Sequence, residues 1–148
     1  MYAEKLRRIL DEAFSQGKVE VLDELMTPDF VNHNAPPGMD PGVEGVKQVI
    51  KAERTGFPDL KIELIRDFEQ GDFVIQQVVA TGTHLGMAFG AEPTGRKVSW
   101  NEIHIARVRD GRVSDHWACN DLHALLIQIG RIDPPDMSAF ARAAAAAN

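Results

Sequence analysis

Residues 99–121, SWNEIHIARVRDGRVSDHWACND, constrain the fold of this chain more than any other stretch. Two alternating runs flank Arg109-Asp110-Gly111, and an Asp-Gly pair between such runs is a strong hairpin signal. A three-residue loop with a bulge, Gly111 taking the positive φ, sets Val108 opposite Arg112, Ala106 opposite Ser114 and His104 opposite His116. Residues that face each other across a ladder share a side of the sheet. Glu102, His104, Ala106, Ser114, His116, Ala118 and Asn120 then point one way, and Ile103, Ile105, Val113, Asp115, Trp117 and Cys119 the other. A tight two-residue turn is the alternative, and it sets His104 opposite Trp117. The preferred register gathers two histidines and a carboxylate on one side of a long, twisted hairpin.

The chain has 148 residues, 44% hydrophobic and 26% charged, which suits one globular domain with a substantial core. Its net charge is −6 and its lysines and arginines are scattered, so a phosphate-binding basic patch is absent and nucleic acid is not an expected partner. The single cysteine, Cys119, forms no intramolecular disulfide and fits a reducing compartment. No run approaches the ~18 apolar residues of a membrane span. The amphipathic start, MYAEKLRRILDEAF, is unlike a secretory signal. A cytoplasmic protein that does not enter membranes is the expectation.

Leu6, Ile9, Leu10, Ala13 and Phe14 recur at helical spacing and predict an amphipathic helix over residues 3–15, ended by Gly17. A short helix follows over residues 19–26, then an extended entry over residues 30–33. Residues 34–42, NAPPGMDPG, are a loop by composition, with three prolines and two glycines. A third helix spans 43–55, with Val46, Val49 and Ile50 as its buried stripe. Strands are predicted over 61–68 and 73–83 around a turn at Gln70-Gly71-Asp72. Asp121 is a suitable N-cap for a last helix over 122–129. Three helices followed by long sequential strands argue for an α+β fold with an antiparallel sheet curled around the helices. Residues 1–132 form the domain, and the Ala-rich residues 133–148 are expected to fray or to pack on a partner. The face carrying Ile103, Ile105 and Trp117 is too apolar for water, which predicts a homodimer or homotetramer.

The segments TPDFVNH, GFPDL, GTHLG, EPTGR, IHIARVRDGRVSDHW and LLIQIG, in this order, resemble the SnoaL-like polyketide cyclases of the NTF2-like superfamily. The resemblance runs from about Leu6 to Gly130. It implies a cone-shaped α+β barrel around a deep pocket, and cofactor-free acid/base chemistry closing a polyketide ring through an aldol reaction. The family's pocket Asn matches Asn32, its strand His matches His104, and the His of its Asp-His pair matches His116. Its catalytic Asp stands two residues beyond that second His, where this chain has Ala118. Asp121 matches a different, helix-capping Asp, with a compensating catalytic role as the rival reading.

His104 is therefore a candidate general acid or base, set against the plain reading of a hydrogen-bonded interior histidine. Glu102, on the same face, is the best replacement base if an apolar pocket raises its pKa. Its alternative is a solvated rim position. His116 is either a catalytic partner or a polar bridge. Asn32 suits an oxygen-holding role or a loop hydrogen bond. His33 points opposite Asn32, so one of the two faces the pocket. His84 belongs to the rim or the pocket, and Trp100 offers a flat wall to a ligand or simply packs in the core.

His104, His116 and Glu102 are the one conceivable two-His-one-carboxylate group, but no zinc spacing is present and no metal or cofactor is expected. The leading expectation is acid/base chemistry on an apolar, carbonyl-bearing small molecule: aldol cyclisation or isomerisation through an enolate. The alternatives are a binding protein without turnover, a hydrolase or dehydratase, and a hydroxylase.

Overall fold

The computed structural model describes residues 1–147. In chain order, α1 (Ala3–Arg8) continues into a π-helical segment (Ile9–Ser15), followed by α2 (Val21–Leu25), β1 (Met26–Asn32) and α3 (Val43–Gly56). The strands β2 (Lys61–Gln70), β3 (Phe73–Thr83), β4 (Lys97–Arg109) and β5 (Arg112–Asn120) come next, then α4 (Leu122–Gln128) and α5 (Met137–Ala146). One five-stranded sheet has the order β1-β5-β4-β3-β2, antiparallel except where β1 runs parallel to β5. The helices before β2, together with α4, pack on its concave face, as the α+β expectation required.

The hairpin register differs from the preferred one, and the reason is local. Arg109 pairs with Arg112, so the turn has two residues. Asp110 and Gly111 both take positive φ, 51° and 74°, the backbone of a type I′ turn that matches strand twist. That turn alone would set His104 opposite Trp117. A bulge beside Ser114 then adds one residue to β5: Val108 pairs with Val113, but Arg107 pairs with Asp115. The two shifts cancel in parity, so Glu102, His104, Ala106, His116, Ala118 and Asn120 do share the concave face. The partners are corrected: Ala106 faces His116 and His104 faces Ala118. Val113, expected outside, is turned in and buried by the bulge.

Residues 3–15 were expected as one regular helix, and the second half is wider. Gln16 N–H donates to Asp11 O at 2.9 Å, a span of five residues. The wider turn lets Ser15 Oγ donate to Leu10 O and accept from Ile62 N–H, 3.0 and 2.9 Å, tying the helix to β2. Alternating inward residues of β3 and β4 (Val74, Val78, Ala80, Val98, Ala106, Val108) meet Leu6, Ile9, Leu10, Ile50 and Phe57 in two adjoining buried clusters. The loop 84–96 is held against the end of α3 because Leu85 and Gly86 N–H groups both donate to Gly56 O. A Cβ on Gly86 would stand 2.0 Å from Thr55 O, so only glycine permits this approach.

The Ala-rich tail is helical rather than frayed. Asp136 caps α5 by accepting from Ser138 and Ala139 N–H, yet none of its residues is buried. On the convex side Phe68 pairs with Ile75, Ile75 with Ile105, and Ile105 with Trp117, an apolar band across four strands. Among the described residues no helix is long and apolar enough to cross a membrane.

Candidate active site

The curled sheet and the helices enclose a cavity of about 700 Å³, within the range of small-molecule sites. Its wall is mostly apolar: Leu10 and Phe14 of the π-helical segment, Val46 and Val49 of α3, Phe57, Trp100 and Leu125. The mouth is edged by Pro36, Pro37 and Met39 from one loop and Met87 and Phe89 from another. The Pro/Gly-rich loop 34–42 thus borders the cavity.

A chain of hydrogen bonds crosses the β4–β5 wall. Trp100 Nε1–H donates to Glu102 Oε1 at 2.6 Å, and Glu102 Oε2 lies 2.8 Å from His104 Nε2. His104 Nδ1 lies 2.9 Å from His116 Nε2, and His116 Nδ1 lies 3.1 Å from Asn32 Oδ1. The strand registers produce this arrangement. Glu102 and His104 are two apart on β4, while Asn32 on β1 is the partner of His116 on β5.

The proton positions follow from the far end. Asn32 Oδ1 also accepts from Asn34 N–H at 3.1 Å, which identifies that atom as the oxygen. His116 must then donate from Nδ1, and in its neutral form it accepts at Nε2. Burial and the neighbouring His104 hold it far below the ordinary histidine pKa, at about 3. His104 consequently donates from Nδ1. Its Nε2 and Glu102 Oε2 then share a single proton, either as carboxylate with imidazolium or as carboxyl with imidazole. The chain holds one mobile proton, located at Glu102–His104.

Two cavity groups stand outside this chain. Glu53, on α3, faces the cavity and makes no side-chain hydrogen bond among the described residues. Burial, with a smaller contribution from the charge of Glu102, pushes its pKa up to about 8, so it is a neutral acid at pH 7. Gln76 is 2% exposed, pairs with His104 across the β3–β4 ladder, and its Nε2 has no partner among the described residues. Sequence reasoning missed both. The signal for Glu53 was present, since it follows the stripe Val46-Val49-Ile50 of α3 at helical spacing. Gln76 stands in the inward alternation Val74-Gln76-Val78.

Of the residues singled out from sequence, Asn32, Trp100, Glu102, His104, His116 and Ala118 line the cavity. Ala118 N–H donates to Asn34 Oδ1 at 2.7 Å, which pins the loop across β5. Three others lie elsewhere. His33 is on the convex side, stacked on Trp117 at 4.5 Å with its Nε2 2.9 Å from Asp115 Oδ1. His84 is fully buried behind Phe57. Its Nδ1 accepts from Thr94 N–H at 3.3 Å, which ties the base of a loop. Asp121 caps α4, its Oδ1 accepting from Ala124 N–H at 3.0 Å, and it does not line the cavity. His33 and His84 as ligand-binding residues and Asp121 as a catalytic one are corrected accordingly. Alternation along β1, packing behind Phe57 and capping geometry carry them away. Among the described residues no group of three or more His, Cys, Asp or Glu side chains is arranged to hold a metal ion.

Comparison with known proteins agrees with this architecture. The sequence matches the SnoaL-like polyketide cyclases over residues 4–129. The chain belongs to the SnoaL-like polyketide cyclase family. It is 31% identical over 126 residues to nogalonic acid methyl ester cyclase of Streptomyces nogalater, covering 84% of this chain and 94% of that protein. It is 28% identical over 134 residues to the aklanonic acid methyl ester cyclase DauD of Streptomyces sp. strain C5, covering 84% and 80%. Among solved structures, IdmH of Streptomyces antibioticus is 34% identical with a TM-score of 0.77, covering 88% of this chain and 99% of that one. The fold is the NTF2-like cone of this family.

Proposed function

We propose that this SnoaL-like protein catalyses aldol cyclisation or isomerisation of an apolar polyketide-type β-dicarbonyl compound through an enolate, without a cofactor. The observation that carries the reading is the single-proton chain Trp100–Glu102–His104–His116–Asn32 in the wall of an apolar cavity. Both ring nitrogens of His104 are committed to neighbours, whereas each oxygen of Glu102 accepts one bond and keeps a second lone pair. Glu102 therefore takes the proton from the substrate carbon, and His104 orients it and holds the compensating proton. The amide NH₂ of Asn32 makes no hydrogen bond among the described residues and is suited to an enolate oxygen. Apolar walls strengthen each of these interactions by excluding water. The activities in the names of the curated relatives, methyl ester cyclases, support the substrate class.

The test is solvent deuterium exchange into a polyketide-type β-keto ester, followed by NMR for the wild type, Glu102→Gln, His104→Ala and Ala118→Asp. Exchange that falls with Glu102→Gln and His104→Ala supports the reading. Exchange in Ala118→Asp but not in the wild type would sink it and favour a ligand-binding role, for which Ala118 opposite His104 is the specific argument. We further propose that the band Phe68–Ile75–Ile105–Trp117 seats a second copy of the chain. Sedimentation should show a dimer or tetramer that Ile75→Asp dissociates, and a monomeric wild type would refute this.

A further inference from the structure

We propose that Glu53 and Gln76 form a second oxygen-binding subsite that holds the acceptor carbonyl of the aldol step, with Glu53 delivering the proton that completes it. This deepens the function proposed above and rests on it. An aldol closure creates negative charge on two oxygens: the enolate oxygen of the nucleophilic half and the alkoxide oxygen of the acceptor half. The Asn32 end of the bonded chain provides for one of them. Nothing in that chain provides for the other.

Two polar side chains project into an apolar cavity without a partner among the described residues. Gln76 Nε2 is a buried amide donor with no acceptor among the described residues, which costs free energy unless a ligand satisfies it. Glu53 faces the same space from α3. Gln76 and His104 are paired across the β3–β4 ladder, so the subsite adjoins the proton chain. Among the described residues no lysine or arginine lines the cavity, and the other titratable groups there are Glu102, His104 and His116. A charged carboxylate at Glu53 would thus have no lysine or arginine beside it and would face Glu102. Held neutral, with a pKa near 8, it is a donor. Two carboxyl groups in one cavity, set apart by their surroundings, take opposite roles.

The step balances. The α-carbon loses its proton to Glu102, the enolate carbon bonds to the acceptor carbonyl carbon, and that C=O becomes an alkoxide. The alkoxide takes the Glu53 proton, leaving Glu53 ionised and Glu102 protonated. Return of one proton from Glu102 to Glu53 through solvent restores the site, with no net redox change and no leaving group. The ligand class is an apolar ring system bearing a carbonyl that is an electrophile rather than the site of enolisation.

The probe is 2-naphthaldehyde labelled with ¹³C at the carbonyl, an apolar acceptor with no α-hydrogen. Its carbonyl stretch is read by infrared difference spectroscopy alongside its affinity. Binding to the wild type should lower the stretching frequency relative to the aldehyde in hydrocarbon. Glu53→Leu/Gln76→Leu should lose that shift and bind roughly tenfold more weakly, the equivalent of one neutral hydrogen bond. Glu53→Gln, which keeps a donor, should retain most of the shift, and Glu102→Gln and Asn32→Ala should leave it in place. Above pH 8 the wild-type shift should decline, while that of Glu53→Gln should persist. Thermal melting separates a ligand role from a structural one, because removing unpartnered polar groups should leave the melting temperature of the Leu variants unchanged or higher.

A shift that survives in the double variant, a shift lost only in Asn32→Ala, or no saturable binding to the wild type would each overturn the proposal. Deuterium exchange reports the Glu102–His104 base independently. Exchange without a carbonyl shift leaves the proposed function standing and removes this subsite, and a shift without exchange does the reverse.

Discussion

The two polar regions of the cavity are built on opposite terms. On the β4–β5 wall, Trp100, Glu102, His104, His116 and Asn32 satisfy one another in sequence, with spacings of 2.6–3.1 Å. On the side of α3 and β3, Glu53 and the Gln76 amide nitrogen have no side-chain hydrogen-bond partner among the described residues. A closed network fixes geometry and rations protons, whereas an open pair waits for a partner from outside. The contrast separates groups that position from groups that bind, and it is visible before any ligand is considered.

The largest effect should fall on the closed network. Glu102→Gln removes the proton acceptor and should lower exchange into the β-keto ester by about 10²–10⁴-fold, as loss of a general base does. Gln76→Leu should leave the same rate within a few-fold. Equal losses in both variants would erase the distinction.

The pH dependence of folding should divide along the same line. Glu53 holds its proton in the native state up to about pH 8, but releases it in the unfolded state near its ordinary value of 4.5. Stability therefore falls as pH rises across that window, by a few kcal/mol on the order of its shift. His116 behaves in the opposite sense, neutral when folded down to about pH 3 and protonated when unfolded below 6.5, so stability falls as pH drops through that range. Between pH 4.5 and 6.5 the two slopes oppose each other. Denaturant titrations against pH should show the alkaline limb flattened in Glu53→Gln and the acidic limb flattened in His116→Ala.

At the pH where wild type is most stable, His116→Ala should still cost about 1–3 kcal/mol, because it leaves the part-buried His104 Nδ1 without its acceptor and takes from Asn32 Oδ1 one of its two donors. Glu53→Leu should cost nothing there or stabilise. Calorimetry on both variants sharpens the comparison to its simplest form. The smallest effect belongs to the turn that sets the register: Gly111→Ala places a side chain at φ 74° and should cost about 1 kcal/mol.

Much of this was legible in the sequence because alternation is a local property. The period of two in β3 and β4, and the stripe Val46-Val49-Ile50 in α3, each assign residues to faces without any knowledge of neighbours. Asp121 as a cap was readable for the same reason. The pairing of His104 was not. It depends on a type I′ turn and a bulge at Ser114 that offset each other, and a bulge is decided by how β5 fits the strands beside it. His33 and Asn32 could be told apart only as alternatives, since parity says that one faces in but not which.

Sequence alone thus determined the fold class, the family and the identity of the polar face Glu102-His104-His116, since these follow from periodicities and motifs carried within single segments. Tertiary structure decided that His104 meets His116 through their side chains while facing Ala118 in the ladder. It also decided that His84 is a buried loop tie, and that Glu53 and Gln76 face one cavity. The physical reason is that hydrogen-bond partners and desolvation are set by atoms from distant segments: β1 supplies Asn32, and α3 supplies Glu53. No pattern within one segment records what a different segment will bring to it.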